Sequence, residues 1–194
     1  MTTTNTRTHP TPPIPLDPHN IITSRILETL GRGRTLTPHG LAAIMTAAHG
    51  ATDAAGAWDW KDAYDELEIA TVAFLSKYGR AMIARSAAPH TMLSMLQKVA
   101  ALLPTHTKRS EETQQLQQLS TPVDLAYIVS VAAAITASDT VLEPSAGTGL
   151  LAIFAEIAQA SLILNELSDR RAGLLSRSFP STTISRHDAA HIHD

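Results

Sequence analysis

The chain has 194 residues, 44% of them apolar, 17% charged and 4% aromatic, with a net charge of −3. That length fits one ordinary domain or two small ones, and the apolar fraction suffices for a sizeable core and argues against global disorder. There is no cysteine, which excludes disulfides, zinc ribbons, iron–sulfur clusters and thiol catalysis, and no long basic run that would leave the electrostatic footprint of a nucleic-acid binder.

Residues 1–18 hold four prolines before Asp17 and no apolar leader segment. They are expected to form a disordered, polyproline-like tail. The longest apolar stretch, Leu125 to Ile135, has 11 residues, against the roughly 20 that a membrane span requires. A cytoplasmic location is expected.

Residues 19–119 are predicted to be helical. Ile22, Ile26, Leu27 and Leu30 form a short apolar stripe that ends at Gly31-Arg-Gly33. Thr37-Pro38 reads as a cap followed by proline at the first helical position, with Leu41, Ile44, Met45 and Ala48 carrying that helix to Gly50. In the next helix Trp60, Tyr64, Leu67, Phe74 and Tyr78 recur at helical spacing, behind Asp59 and Asp62 in its first turn. These aromatics, with Trp58, read as a core stripe in preference to a base-stacking surface. A further helix over Met92 to Leu103 stops before Pro104, and the polar run 105–118 reads as a linker or an exposed helix end.

From Thr121 the character changes. Acidic side chains outnumber basic ones by four in residues 121–194, whereas residues 1–120 have one basic side chain in excess. Short β-like runs now alternate with helical ones, as in an α/β parallel sheet. Thr140 to Glu143 is followed by Pro144-Ser-Ala-Gly147-Thr-Gly149 and then an apolar helical run. This is a strand, a glycine-rich turn and a helix start, where open α/β sheets hold ligands beyond the carboxyl ends of their strands. A phosphate-cradling P-loop is excluded by the missing lysine. Gly147-Thr-Gly149-Leu-Leu-Ala152 fits a dinucleotide fingerprint, with Glu166 as the acid 17 residues after Gly149. That reading leaves Glu143 unexplained, since a carboxylate at this turn repels a pyrophosphate and suits a ligand bearing an ammonium or sulfonium.

The run Val-Leu-Glu143-Pro-Ser-Ala-Gly147-Thr-Gly149 resembles motif I of class I S-adenosylmethionine (SAM) methyltransferases, in the form found in N6-adenine methylases. Ser120-Thr121-Pro122-Val-Asp124 resembles the family's motif X, Leu162-Ile-Leu-Asn165-Glu166 its second strand, and His187-Asp188 the end of its third. The resemblance implies SAM as cofactor, held by Thr121, Pro122, Glu143, Pro144, Ala146, Gly147, Gly149, Glu166 and Asp188. Glu143 and the glycine turn would hold the methionine end, Glu166 the ribose hydroxyls and Asp188 the adenine. Gly56-Ala-Trp58-Asp-Trp60-Lys-Asp-Ala-Tyr64 and Leu103 to Glu112 further resemble the start of large bacterial strawberry-notch-like proteins. These join a methyltransferase-like domain to a superfamily 2 helicase-like ATPase domain and are common on plasmids and other mobile elements. DNA or RNA, and a helicase-like domain in cis or in trans, are thereby implied as partners.

The family's base-binding motif, [DNS]-P-P-[FYW], is absent from the 194 residues. The expected architecture is therefore a tail (1–18), a helical region (19–119) and a truncated Rossmann-like SAM-binding unit (120–194). In that unit strands lie near 140–144, 162–166 and 182–186, with helices over 148–159 and 169–178. The expected function is the SAM-binding portion of a DNA adenine N6-methyltransferase-like protein, inactive alone and with an aggregation-prone open sheet edge. The alternatives are a non-catalytic docking module of a mobile-element helicase system and, more distantly, a dinucleotide-dependent oxidoreductase. Glu143 and Glu166 also admit plain readings as strand-end acids paired with arginine, and Thr121-Pro122 one as an ordinary helix start. Lys108-Arg109 and Arg170-Arg171 read as solvated surface. His187, His191 and His193 with Asp188 and Asp194 read as a solvated tail in preference to a metal site.

Overall fold

A computed structural model describes residues 17–105 and 120–191. Helix α1 (Pro18–Gly31) opens where Asp17 accepts a hydrogen bond from the His19 backbone N–H, and it buries Ile22, Ile26 and Leu30 along one face. Pro18, placed with the tail in the sequence reading, is thus the first residue of α1. Thr37 caps α2 (Pro38–His49) through Gly40, and Gly50 at φ 76° closes it. Helix α3 (Trp60–Arg85) begins with a capping box, in which Asp59 and Asp62 each accept from the other's backbone N–H, at 2.7 and 3.0 Å. Helix α4 (Pro89–Ala101) is the fourth α-helix among the described residues.

Trp58, Tyr64 and Phe74 are buried, with Trp60 and Tyr78 packed against the same core. The aromatic stripe is therefore core. Helix α3 is also buried around most of its circumference, with residues 63 to 67 all enclosed. A helix in that state has partners on several sides. Those partners are α1, α2 and α4 on one hand and elements of the second half on the other.

The second half runs α5 (Val123–Ala132), β1 (Thr140–Glu143), α6 (Ala152–Ile157), β2 (Ser161–Asn165), α7 (Asp169–Ser178) and β3 (Ile184–Ser185). The strands form one parallel sheet in the order β1-β2-β3. Three expectations are corrected in detail. Helix α6 starts at Ala152, not 148, because Gly147 and Gly149 hold φ of 58° and 94°, which no right-handed helix accommodates. Strand β3 is two residues long because only Ile184 and Ser185 pair with β2. Pro122 occupies the cap of α5 in place of Thr121, with no side-chain cap bond, so the helix begins one residue later than the Thr-Pro pattern suggests.

One apolar cluster runs through both halves, from Ile22 and Leu41 through Leu75 and Ile153 to Leu164 and Phe179. The change at Thr121 is thus a change of element type within a shared core. Helix α6 packs on one face of the sheet and against α3. On the other face Leu142 and Ile163 stand opposite each other in register, 52% and 51% exposed. Among the described residues no helix is long and apolar enough to cross a membrane. The run 106–119 and residues His193 and Asp194 lie outside the described residues, as do residues 1–16 of the expected tail.

Candidate functional site

The carboxyl ends of β1, β2 and β3 enclose a cavity of about 390 Å³. Asn165, the last residue of β2, joins the three strand ends. Its Nδ2 donates to the carbonyls of Pro144 and His187 at 2.9 and 2.8 Å, while its Oδ1 accepts from the His187 N–H and the Ser185 hydroxyl. The Ala146 N–H donates to the Asn165 carbonyl at 2.8 Å. One buried amide therefore fixes the spacing of the turn after β1 and the segment after β3, two walls of the cavity.

Glu166 follows on β2 and is 7% exposed. Its two oxygens each accept a backbone N–H, Oε2 from Gly147 at 2.8 Å and Oε1 from Ser168 at 2.9 Å. The strand-end carboxylate and the glycine turn are thus one hydrogen-bonded unit. The surface-acid alternative for Glu166 does not fit this geometry, since its partners are main-chain donors and it is enclosed. A carboxylate oxygen has two acceptor sites, so each oxygen keeps one for a further donor.

Gly147 sits in the left-handed region, which a Cβ disfavours by roughly 1–2 kcal/mol. Gly149 has a different requirement. A Cβ there would lie 2.3 Å from Cε2 of Phe179 and 3.0 Å from Cδ1 of Leu175, so its missing side chain lets α7 pack against the turn. Of the nine sequence-predicted cofactor residues, Thr121, Glu143, Pro144, Ala146, Gly147, Glu166 and Asp188 line the cavity; Pro122 and Gly149 do not. Asp188 caps the turn that follows it, accepting from the Ala190 N–H at 3.0 Å. Among the described residues no group of three His, Asp or Glu side chains is arranged to hold a metal ion.

Helix α3 contributes what the sequence reading missed. Its Glu68 Oε2 accepts from Thr148 Oγ1 of the glycine turn and from Ser120 Oγ, both at 2.7 Å. Desolvation raises the Glu68 carboxyl above its ordinary value, and the two hydroxyl donors with the Arg171 charge partly offset that. One turn earlier Asp65 Oδ1 accepts from Nε and Nη2 of Arg171, at 3.3 and 3.1 Å. Arg171 is 7% exposed and lines the cavity, and Arg170 pairs with Asp62. The expectation that Arg170 and Arg171 are solvated surface is corrected: both face α3, because α7 is docked on that helix. Burial lowers the Arg170 pKa. The available signal was the spacing of Asp65 and Glu68, one helical turn apart within an otherwise core-forming helix.

No protein-family model matches the chain, and no curated protein or solved structure matches it.

Proposed function

We propose that this cavity binds SAM, and that the chain is the SAM-binding portion of a DNA adenine N6-methyltransferase-like protein. The observation that carries the reading is the bond from the Gly147 N–H to Glu166. A pyrophosphate at a glycine-rich turn draws on such backbone donors. Here that donor is given to a carboxylate, and Glu143 and Asp188 line the same space. Three acids around the cavity repel a dinucleotide's phosphates and suit a sulfonium and an amino group. In this reading Glu143 and the turn at Pro144, Ala146 and Gly147 hold the methionine end, Glu166 accepts from the ribose hydroxyls, and Asp188 meets the adenine.

The proposed role of these residues is cofactor binding. The base-binding motif of the resembled family is absent from the sequence, so no residue here is assigned to methyl transfer. DNA or RNA, and a helicase-like ATPase domain, are proposed as partners on the resemblance alone. The second reading, a non-catalytic docking module, is favoured by the exposed apolar side chains Leu125, Ile128, Val129, Leu142 and Ile163. Thermal-shift measurements with SAM, S-adenosylhomocysteine and NAD separate the readings. Stabilisation by the first two and not by NAD is expected. Stabilisation by NAD alone selects the oxidoreductase, and no response to any of them selects the docking module.

A further inference from the structure

We propose that Arg171 is the anion anchor of this cavity, that the ligand it takes therefore carries a carboxylate, and that Asp65 of α3 is the positioning residue that aims the guanidinium. The assignment of that group to the α-carboxylate of SAM rests on the SAM reading of the site.

Among the described residues the cavity is lined by three acids, Glu143, Glu166 and Asp188, and by one arginine, Arg171, with no lysine. A guanidinium is a planar fork of five donors that matches a carboxylate edge-on. Two of the Arg171 nitrogens, Nε and Nη2, are spent on Asp65 Oδ1. The third, Nη1, is turned toward the glycine turn: a Cβ on Gly147 would lie 3.8 Å from it. The side chain is 8% exposed, so its placement is set by the protein. Lys61 Nζ at 4.0 Å and Arg170 Nε at 3.7 Å add positive charge around the Asp65 carboxylate. Asp65 therefore remains charge-compensated when Arg171 shares its field with a ligand anion.

The arrangement selects for a dipolar ligand. An anionic group beside Gly147 meets Nη1, and a cationic group meets the carboxylates that line the cavity. A ligand with only positive charge leaves the arginine facing no anion, and one with only negative charge meets three carboxylates. Such complementarity discriminates by charge placement more than by contact area. Sequence spacing conceals the device, because Asp65 and Arg171 are 106 residues apart.

Calorimetric titration of the full chain with SAM and with decarboxylated SAM tests it. The wild type is expected to bind the decarboxylated compound at least about tenfold more weakly, the loss of one charge-assisted hydrogen bond. Arg171→Met should bring the two affinities within twofold of each other, Arg171→Lys should restore part of the preference, and Asp65→Asn should reduce it. A merely structural arginine would lower both affinities together and leave their ratio unchanged. Equal affinities in the wild type, or an undiminished ratio in Arg171→Met, overturns the proposal; if that variant fails to fold, the wild-type ratio and Arg171→Lys decide. If the wild type binds neither compound, acetate titration monitored at the Arg171 Nε–H resonance separates the two ideas. A saturable shift then keeps the anion anchor and removes the SAM reading, and no shift removes both.

Discussion

Gly147 and Gly149 answer to different neighbours, and the difference is measurable. Gly147→Ala costs left-handed strain, about 1–2 kcal/mol, with Arg171 Nη1 at 3.8 Å as its nearest new contact. Gly149→Ala adds to that strain a clash with Phe179 at 2.3 Å, and overpacking alone costs about 1–3 kcal/mol. Urea unfolding should therefore rank Gly149→Ala as the more destabilised by at least about 1 kcal/mol; the reverse order would show that Phe179 yields freely. Gly147→Val should abolish SAM binding, since a β-branched side chain enters the turn that lines the cavity. At Glu166, the Ala variant strands the buried Ser168 N–H and the half-buried Gly147 N–H and should lose about 1–3 kcal/mol of stability. Glu166→Gln keeps an acceptor but drops the charge; it should fold, yet bind SAM about fivefold to tenfold more weakly. Equal affinity in a folded Glu166→Gln would remove the ribose role.

At the scale of elements, α3 is both core helix and site component. Its aromatic stripe was legible because apolar periodicity reports which side of a helix is buried. Its carboxylates were not, because periodicity says nothing of what a distant segment brings to the other side. Asp65 and Glu68 become intelligible only once α7 and the glycine turn are seen to dock there. Burial holds the Glu68 carboxyl above the ordinary 4.5. The folded state thus binds a proton that the unfolded chain has released, and this contribution to stability falls as pH rises from the ordinary carboxyl range through the raised value. Glu68→Gln removes that slope while keeping an acceptor for Thr148 and Ser120. Its stability relative to wild type should rise with pH from 4 toward neutrality in parallel urea titrations. A difference that stays flat, or falls, would show Glu68 to be ionised without cost. Glu68→Ala leaves both hydroxyls without their acceptor and should cost about 1–3 kcal/mol.

At the scale of the whole molecule, the α/β order was legible from β1, the turn and Glu166, because strand, glycine and acid succeed one another along the chain. The shared core was not, since it depends on α3 lying against α6 and α7. Among the described residues, the sheet face bearing Leu142 and Ile163, each about half exposed, should drive self-association. Leu142→Gln with Ile163→Thr should lower the associated fraction in light scattering while changing stability by no more than about 1 kcal/mol per site. Unchanged association would place the sticky surface elsewhere. The central claim, that the cavity at the strand ends is a SAM site, is tested most directly by calorimetric titration of SAM into the wild-type chain and into Gly147→Val. Saturable one-to-one binding to the wild type, lost in a folded Gly147→Val, is the predicted result; no binding to the wild type, or equal binding to both, would contradict it.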